Sequence, residues 1–307
     1  MKLQCVHCGQ SLNSEADLTG RTVKCPKCSQ SFVVKRPAVS EDARLPISLN
    51  AGTLRDPKEG IAFGWLVFFS IILWLLLALW IVSSMGLALL LIGLIALVRY
   101  MVGLFALAYI KTNAVEVTDQ QFPEIHRIVT DFSKRLGKTP PTVYVMQNNV
   151  WNSLAMRIAW KRIVVLLSGA VDSLLLKGSM TQLAWLVGHE LGHHYAGHLN
   201  FWYHTTAQLG SWFIWIGLWY KRRCELTFDR YGLACANSLE ESLRAICNMT
   251  VGAQLAANVN IEQAISQWSR HRSEFFVKYR TIYSTHPHTL WRMEELTAAA
   301  RDMGIHS

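Results

Sequence analysis

Leu183-Ala184-Trp185-Leu186-Val187-Gly188-His189-Glu190-Leu191-Gly192-His193-His194 is the stretch from which the fold is read. Residues four apart on an α-helix share a face, so His189 and His193 can present two imidazole nitrogens to one metal ion while Glu190 stands beside the open coordination position. Ser179-Met180-Thr181-Gln182 ahead of it reads as a capping box that opens the helix, and the apolar run that follows contains no proline. Catalytic zinc takes three protein ligands and keeps a fourth position for water, whose pKa falls to about 7; a neighbouring carboxylate can take the proton and pass it to a leaving amine. The layout is that of a zinc hydrolase, and it lacks one ligand.

Downstream, a histidine ten residues after His189 would complete one common pattern, but that position is Leu199. His194 and His198 lie too close along the same helix for good geometry. Glu225 in Cys224-Glu225-Leu226-Thr227-Phe228-Asp229 is the better choice: Glu225 and Asp229 share a helical face, so one can bind the metal while the other orients a ligand histidine.

Upstream, a helical pattern over Thr118–Leu136 is closed by Gly137. Two β-rich runs, Thr142–Met146 and Ile163–Leu167, bracket Asn152-Ser153-Leu154-Ala155 and predict a small sheet ahead of the metal helix. An exposed edge strand can align an extended peptide by backbone hydrogen bonds, which makes Asn152 to Ala155 the candidate substrate edge. The Glu262–Tyr283 region reads as amphipathic helix.

Farther upstream, Ile61 to Ile110 carries a single charge, Arg99. The run predicts a transmembrane hairpin over 61–110, with spans at about 61–82 and 87–110 and a turn at Ser83-Ser84-Met85-Gly86. Arg55 and Lys58 before it and Lys111 after it place both flanks in the cytoplasm by the positive-inside tendency. Arg99 can snorkel, face a protein-lined cavity or mark an early exit from the bilayer. Leu209 to Tyr220 is apolar and rich in tryptophan but too short to cross; an interfacial or half-buried helix fits it. A crossing there would also separate Glu225 from His189 by the width of the membrane.

At the N-terminus, Cys5-Val6-His7-Cys8 and Cys25-Pro26-Lys27-Cys28 have the spacing of a closed four-cysteine zinc site, structural rather than catalytic, on a small β zinc ribbon over 1–36. Four metal-ready thiols favour a reducing compartment. Residues 37–60, with Pro37, Pro46, Gly52, Pro57 and Gly60, read as a linker, and 111–307 as the catalytic domain. The net charge of +9 is spread, with nine Lys or Arg against six Asp or Glu over 1–60 and twenty against fifteen over 111–307, which argues against a nucleic-acid partner.

Taken together, the motifs resemble the M48 peptidases, the family of a bacterial membrane heat-shock protease and of the CAAX prenyl protease. The resemblance runs from about residue 95 to 300: His189-Glu190-Leu191-Gly192-His193, then Glu225 with Asp229, then Ser284-Thr285-His286-Pro287-His288-Thr289 with Arg292, with Asn152-Ser153-Leu154-Ala155 as the edge strand. It implies a mainly helical α+β, zincin-like (gluzincin) domain. Zinc would be held by His189, His193 and Glu225, with Glu190 as general base and Asp229 behind the ligands. Asn152, Ser153, Ala155 and His286 would contact the peptide or its oxyanion, with Arg292 supporting them. With the hairpin, its basic flanks and the ribbon, the expected function is a membrane-anchored zinc endopeptidase of a bacterial inner membrane, facing the cytoplasm, holding one catalytic and one structural zinc and acting on membrane-associated peptide or protein substrates. The rival is a catalytically silent zinc-ribbon scaffold on a membrane hairpin, against which the full set of catalytic residue types speaks. Two spans before the metal helix, and no clear pair after it, match neither named relative.

Overall fold

The computed structural model describes residues 2–4, 8, 10–13, 22–33, 49–147, 153–158, 160–177 and 179–305. The chain forms two units, Met1–Arg44 and Leu45–Ser307. In the first, β1 (Lys2–Gln4) pairs antiparallel with β2 (Ser11–Asn13), and β3 (Thr22–Lys24) with β4 (Ser31–Val33). The sulfur atoms of Cys8, Cys25 and Cys28 lie within 4.8 Å of one another, Cys8 and Cys25 at 3.6 Å. Cys5 lies outside the described residues.

The second unit opens with two long apolar helices, α1 (Glu59–Ser83) and α2 (Leu87–Asn113), both long and apolar enough to cross a membrane and exposed over most of their length. The turn between them is made by Met85 and Gly86, both at positive φ, where Gly86 is the residue that adopts it without a steric penalty. The stretch read as a linker belongs to this unit from Leu49 onward. Leu54 is buried in the main core, Asp56 N–H donates to Thr227 Oγ1 at 2.9 Å, and Tyr231 Oη donates to the Ala51 carbonyl. Proline and glycine mark irregular backbone, but nothing in them tells whether that backbone is free or docked.

After β5 (Val115–Glu116) comes α3 (Pro123–Arg135), which starts later than its pattern predicts. Pro123 sits in the first turn, where its missing N–H costs nothing, and Thr118 and Gln121 close a turn ahead of it. The strands β6 (Thr142–Met146), β7 (Ser153–Ile158) and β8 (Lys161–Leu167) complete a mixed sheet of order β5-β6-β8-β7, in which β6 and β8 are parallel and the other pairs antiparallel. β7 is therefore an edge.

Helices then follow to the end: α4 (Ser168–Lys177), α5 (Met180–Tyr195), α6 (Phe201–Gly210), α7 (Ile214–Ala236), α8 (Leu239–Val251), α9 (Ala253–Ala256), α10 (Ile261–His271), α11 (Phe275–Tyr283) and α12 (Thr289–Asp302). The region read as one amphipathic helix is thus split into α10 and α11. Ser179 caps α5 by accepting from Gln182 N–H at 3.2 Å, as its sequence predicts. The other half of the capping box is diverted, because the Gln182 amide donates to Glu241 on α8 instead.

The centre of the unit is the antiparallel pair α5 and α7, packed backbone to backbone through glycines. A Cβ on Gly188 would stand 2.4 Å from Cys235 Cβ and 2.9 Å from the Tyr231 carbonyl oxygen, and one on Gly232 would stand 2.7 Å from the Trp185 carbonyl oxygen. Backbone cannot yield as a flexible side chain can. Gly188→Ala is therefore expected to cost about 1–3 kcal/mol, read as a lowered urea midpoint; an unchanged midpoint would mean that the two helices lie farther apart than described.

Candidate metal centre

α5 and α7 bring the site together. On α5, His189 and His193 face the same way with ring centroids 5.6 Å apart, and donor atoms of His189, Glu190 and His193 all lie within 4.8 Å of one another. His189 Nδ1 hydrogen-bonds Asp229 Oδ1 at 3.0 Å, which directs Nε2 outward, where Glu225 Oε2 stands 3.6 Å away. Glu225 Oε1 is in turn 3.6 Å from His286 Nε2, and the His286 side chain is 68% exposed. His193 packs against Phe228 with ring centroids 3.8 Å apart. His194 and His198 are turned away: His194 Nε2 bonds the Ile163 carbonyl at 3.1 Å, and His198 Nε2 bonds Glu59 Oε1 at 2.9 Å.

Burial sets the protonation states. It raises the Glu190 pKa above the ordinary carboxylate value, and His189 and Ser153 offset this only in part. It is also the largest influence on His189, pushing it down, but the hydrogen bond and charge of Asp229 outweigh it and the net shift is upward. Burial, then the neighbouring His189, holds His193 well below the usual imidazole range, in the neutral form that binds metals. Burial likewise pushes His194 down to about 4.

A metal fits this donor set. His189 and His193 share one face of α5, Glu225 of α7 stands 3.6 Å from His189 Nε2, and Glu190 Oε2 is buried without a hydrogen-bond partner while Oε1 accepts from Ser153 Oγ at 2.5 Å. A buried carboxylate oxygen left unserved is costly, so it points to a polar occupant of the site.

Two neighbours differ from their expected surroundings. Arg292, expected to support substrate contacts, is 7% exposed. Its fork is taken up by Asp229, with Nε to Oδ2 at 2.8 Å and Nη2 to Oδ1 at 2.6 Å, and its guanidinium lies over the Trp185 ring. It stands behind the orienter of His189, not on the open side. Ser153, expected as a peptide contact, directs its hydroxyl to Glu190. Ala155 lies on the edge strand as expected, and Asn152 lies outside the described residues.

Glu59 is a positioning residue that the sequence reading missed. From the first turn of α1 it accepts from Arg55 at 2.6 Å, Tyr203 at 3.3 Å and Thr227 at 2.5 Å, and pairs with His198. It thereby ties α1 to the end of α5 and to α7 two residues from Glu225. A carboxylate at the mouth of an apolar run was the available signal. For the glycine contact between α5 and α7 the signal was the four-residue spacing of Gly188 and Gly192.

Two imidazoles, a buried carboxylate between them and a second carboxylate on a neighbouring helix suit a metal-dependent hydrolase. The profile of peptidase family M48 matches residues 119–215 and 204–300, together more than half of the chain, and the chain belongs to that family. Membership makes it a metallopeptidase, of a family that is typically zinc-dependent. No curated protein and no solved structure matches the chain.

Proposed function

We propose that this chain is a membrane-anchored zinc endopeptidase that cleaves peptide bonds of membrane or membrane-proximal proteins. One observation carries the reading: His189 Nδ1 is tied to Asp229, so that Nε2 faces Glu225 beside a buried Glu190 with one oxygen unpartnered. His189, His193 and Glu225 would hold the zinc. A zinc ion held there supplies Lewis acidity toward a peptide carbonyl and lowers the pKa of water at the site.

The chain's own residues do the rest. Glu190, its affinity for protons raised by burial, takes the proton of the attacking water and returns it to the departing amine. Ser153 holds Oε1 of that carboxylate and leaves Oε2 for the water. An extended peptide pairs with the free edge of β7, with Asn152 and Ala155 as backbone contacts, and exposed His286 donates to the oxyanion. Asp229 keeps His189 oriented, and Arg292 keeps Asp229 ionised.

The gathered sulfurs of Cys8, Cys25 and Cys28 support a second, structural zinc completed by Cys5. The basic flanks of the apolar hairpin and the thiols support a cytoplasm-facing domain at a bacterial inner membrane.

Zinc counted by atomic emission on detergent-purified protein tests the ligand set. About two ions per chain are expected, falling to about one in Glu225→Ala with casein cleavage lost. One ion in both proteins would remove the His189/His193/Glu225 site.

A further inference from the structure

The segment joining α5 to α7, the two helices of the metal centre, packs across the apolar helix α1. The rings of Phe63 and Tyr203 stack with centroids 4.0 Å apart, and Ser70 Oγ donates to the Thr206 carbonyl at 2.6 Å. A Cβ on Gly210 would stand 2.5 Å from the Leu66 carbonyl oxygen. The chain turns at residues 211–213, where Phe213 meets Phe69 with ring centroids 4.2 Å apart. α7 then descends, its Tyr220 ring 5.6 Å from that of Phe63. Gly217 keeps the hairpin tight, since a Cβ there would lie 2.7 Å from Ser211 Cα. The tip therefore stands level with Phe69, ten residues along α1 from Glu59, or about 15 Å.

The edge of the apolar layer is marked on the first helix of the pair. On α1 it lies just beyond Glu59, buried among His198 and Thr227. α2 leans on the sheet with one side of its C-terminal part, where Leu107 and Ile110 are buried and a Cβ on Gly103 would touch Ile158 at 3.3 Å, while Val102, Phe105 and Tyr109 stay exposed. The ten-residue α6 is about 15 Å long and crosses α1 between Leu66 and Ser70, too short to span the roughly 30 Å of hydrocarbon. The outward side chains at the tip are Trp212, 75% exposed, Ile214 and Trp215, 63% exposed, beside outward-facing Trp65 and Phe68 of α1.

We propose that α6 and α7 form a re-entrant hairpin that dips into one leaflet from the side of the peptidase domain, its tip at Trp212–Trp215 covered by lipid acyl chains. The proposal rests on α1 and α2 crossing the bilayer. Lipid is the occupant because the tip is packed on α1 and continues its outward face: what surrounds Trp65 and Phe68 surrounds Trp212 and Trp215. The hairpin sets the depth of the metal centre. Glu225 lies ten residues down α7 from Trp215, about 15 Å, so the bonds within reach belong to segments just emerging from that leaflet.

The test uses full-length protein in sealed bacterial vesicles of both orientations, with single added cysteines at Glu124 on the domain, Met85 at the α1–α2 turn, and Trp212 at the tip. A membrane-impermeant maleimide is applied and its sites are read by peptide mass spectrometry, which separates them from the native thiols. Glu124→Cys should label from one face, Met85→Cys from the other, and Trp212→Cys from neither. A nitrobenzoxadiazole dye on Trp212→Cys, in the purified protein reconstituted into phosphatidylcholine and phosphatidylglycerol, should be quenched by chain-brominated lipid. Ser211→Cys repeats the tip measurement without removing an aromatic ring. Labelling of the tip from the Met85 face would mean that the hairpin crosses, and labelling from the Glu124 face without lipid quenching would place it in water; either overturns the proposal. Labelling of Met85→Cys from the Glu124 face would instead remove the crossing of α1 and α2, and the proposal with it, while leaving the metal centre untouched.

Discussion

Glu190→Gln keeps the fold and the metal content and lowers kcat by about 10²–10⁴-fold. The substitution changes almost nothing but basicity. Glutamine matches glutamate in shape, and its amide oxygen can accept from Ser153 Oγ as Glu190 Oε1 does. Glu190 is not one of the three residues assigned to the metal, so zinc per chain stays at the wild-type value. Stability is kept, because the amide has the size of the carboxylate and retains the Ser153 hydrogen bond. What is lost is a group able to take a proton, whose affinity for protons burial has increased. Casein cleavage, zinc by atomic emission and the urea midpoint are measured on the same sample. Wild-type turnover would remove Glu190 as the base, whereas lost turnover with lost zinc would show that the substitution had disturbed the ligands.

What the sequence discloses about this site depends on how local the information is. His189, Glu190 and His193 are legible because one turn of one helix brings them together, and Ser179 is legible as a cap because its partner is three residues away. Glu225 and Asp229 required a second helix, and their four-residue spacing supplied it. The pairing of Asp229 with Arg292 bridges 63 residues, and no periodicity encodes it. The same holds for the docking of residues 49–58. Polar, proline-containing backbone reads as a tether, and only the partners of Leu54, Asp56 and Glu59 show that it is fastened to α5 and α7. The break between α6 and α7 at residues 211–213 was hidden by apolar sequence, although the shortness of that run argued against a crossing.

Asp229→Ala is expected to cost about 3–5 kcal/mol of unfolding free energy, because it leaves the Arg292 guanidinium buried without its partner. The same change frees His189 Nδ1 and should weaken zinc binding by about 10–100-fold. The two losses have different physical origins and can be separated. In Asp229→Ala/Arg292→Met the uncompensated charge is gone, and an unbranched side chain of similar reach fills the space over Trp185, so much of the stability returns. The imidazole of His189 still lacks its orienting acceptor, so zinc affinity, measured by competition with a chromogenic chelator, stays low. Recovery of both quantities in the double variant would mean that Asp229 acts on the site only by neutralising Arg292. Recovery of stability alone assigns to the Asp229 carboxylate two separate tasks, one for each of its neighbours.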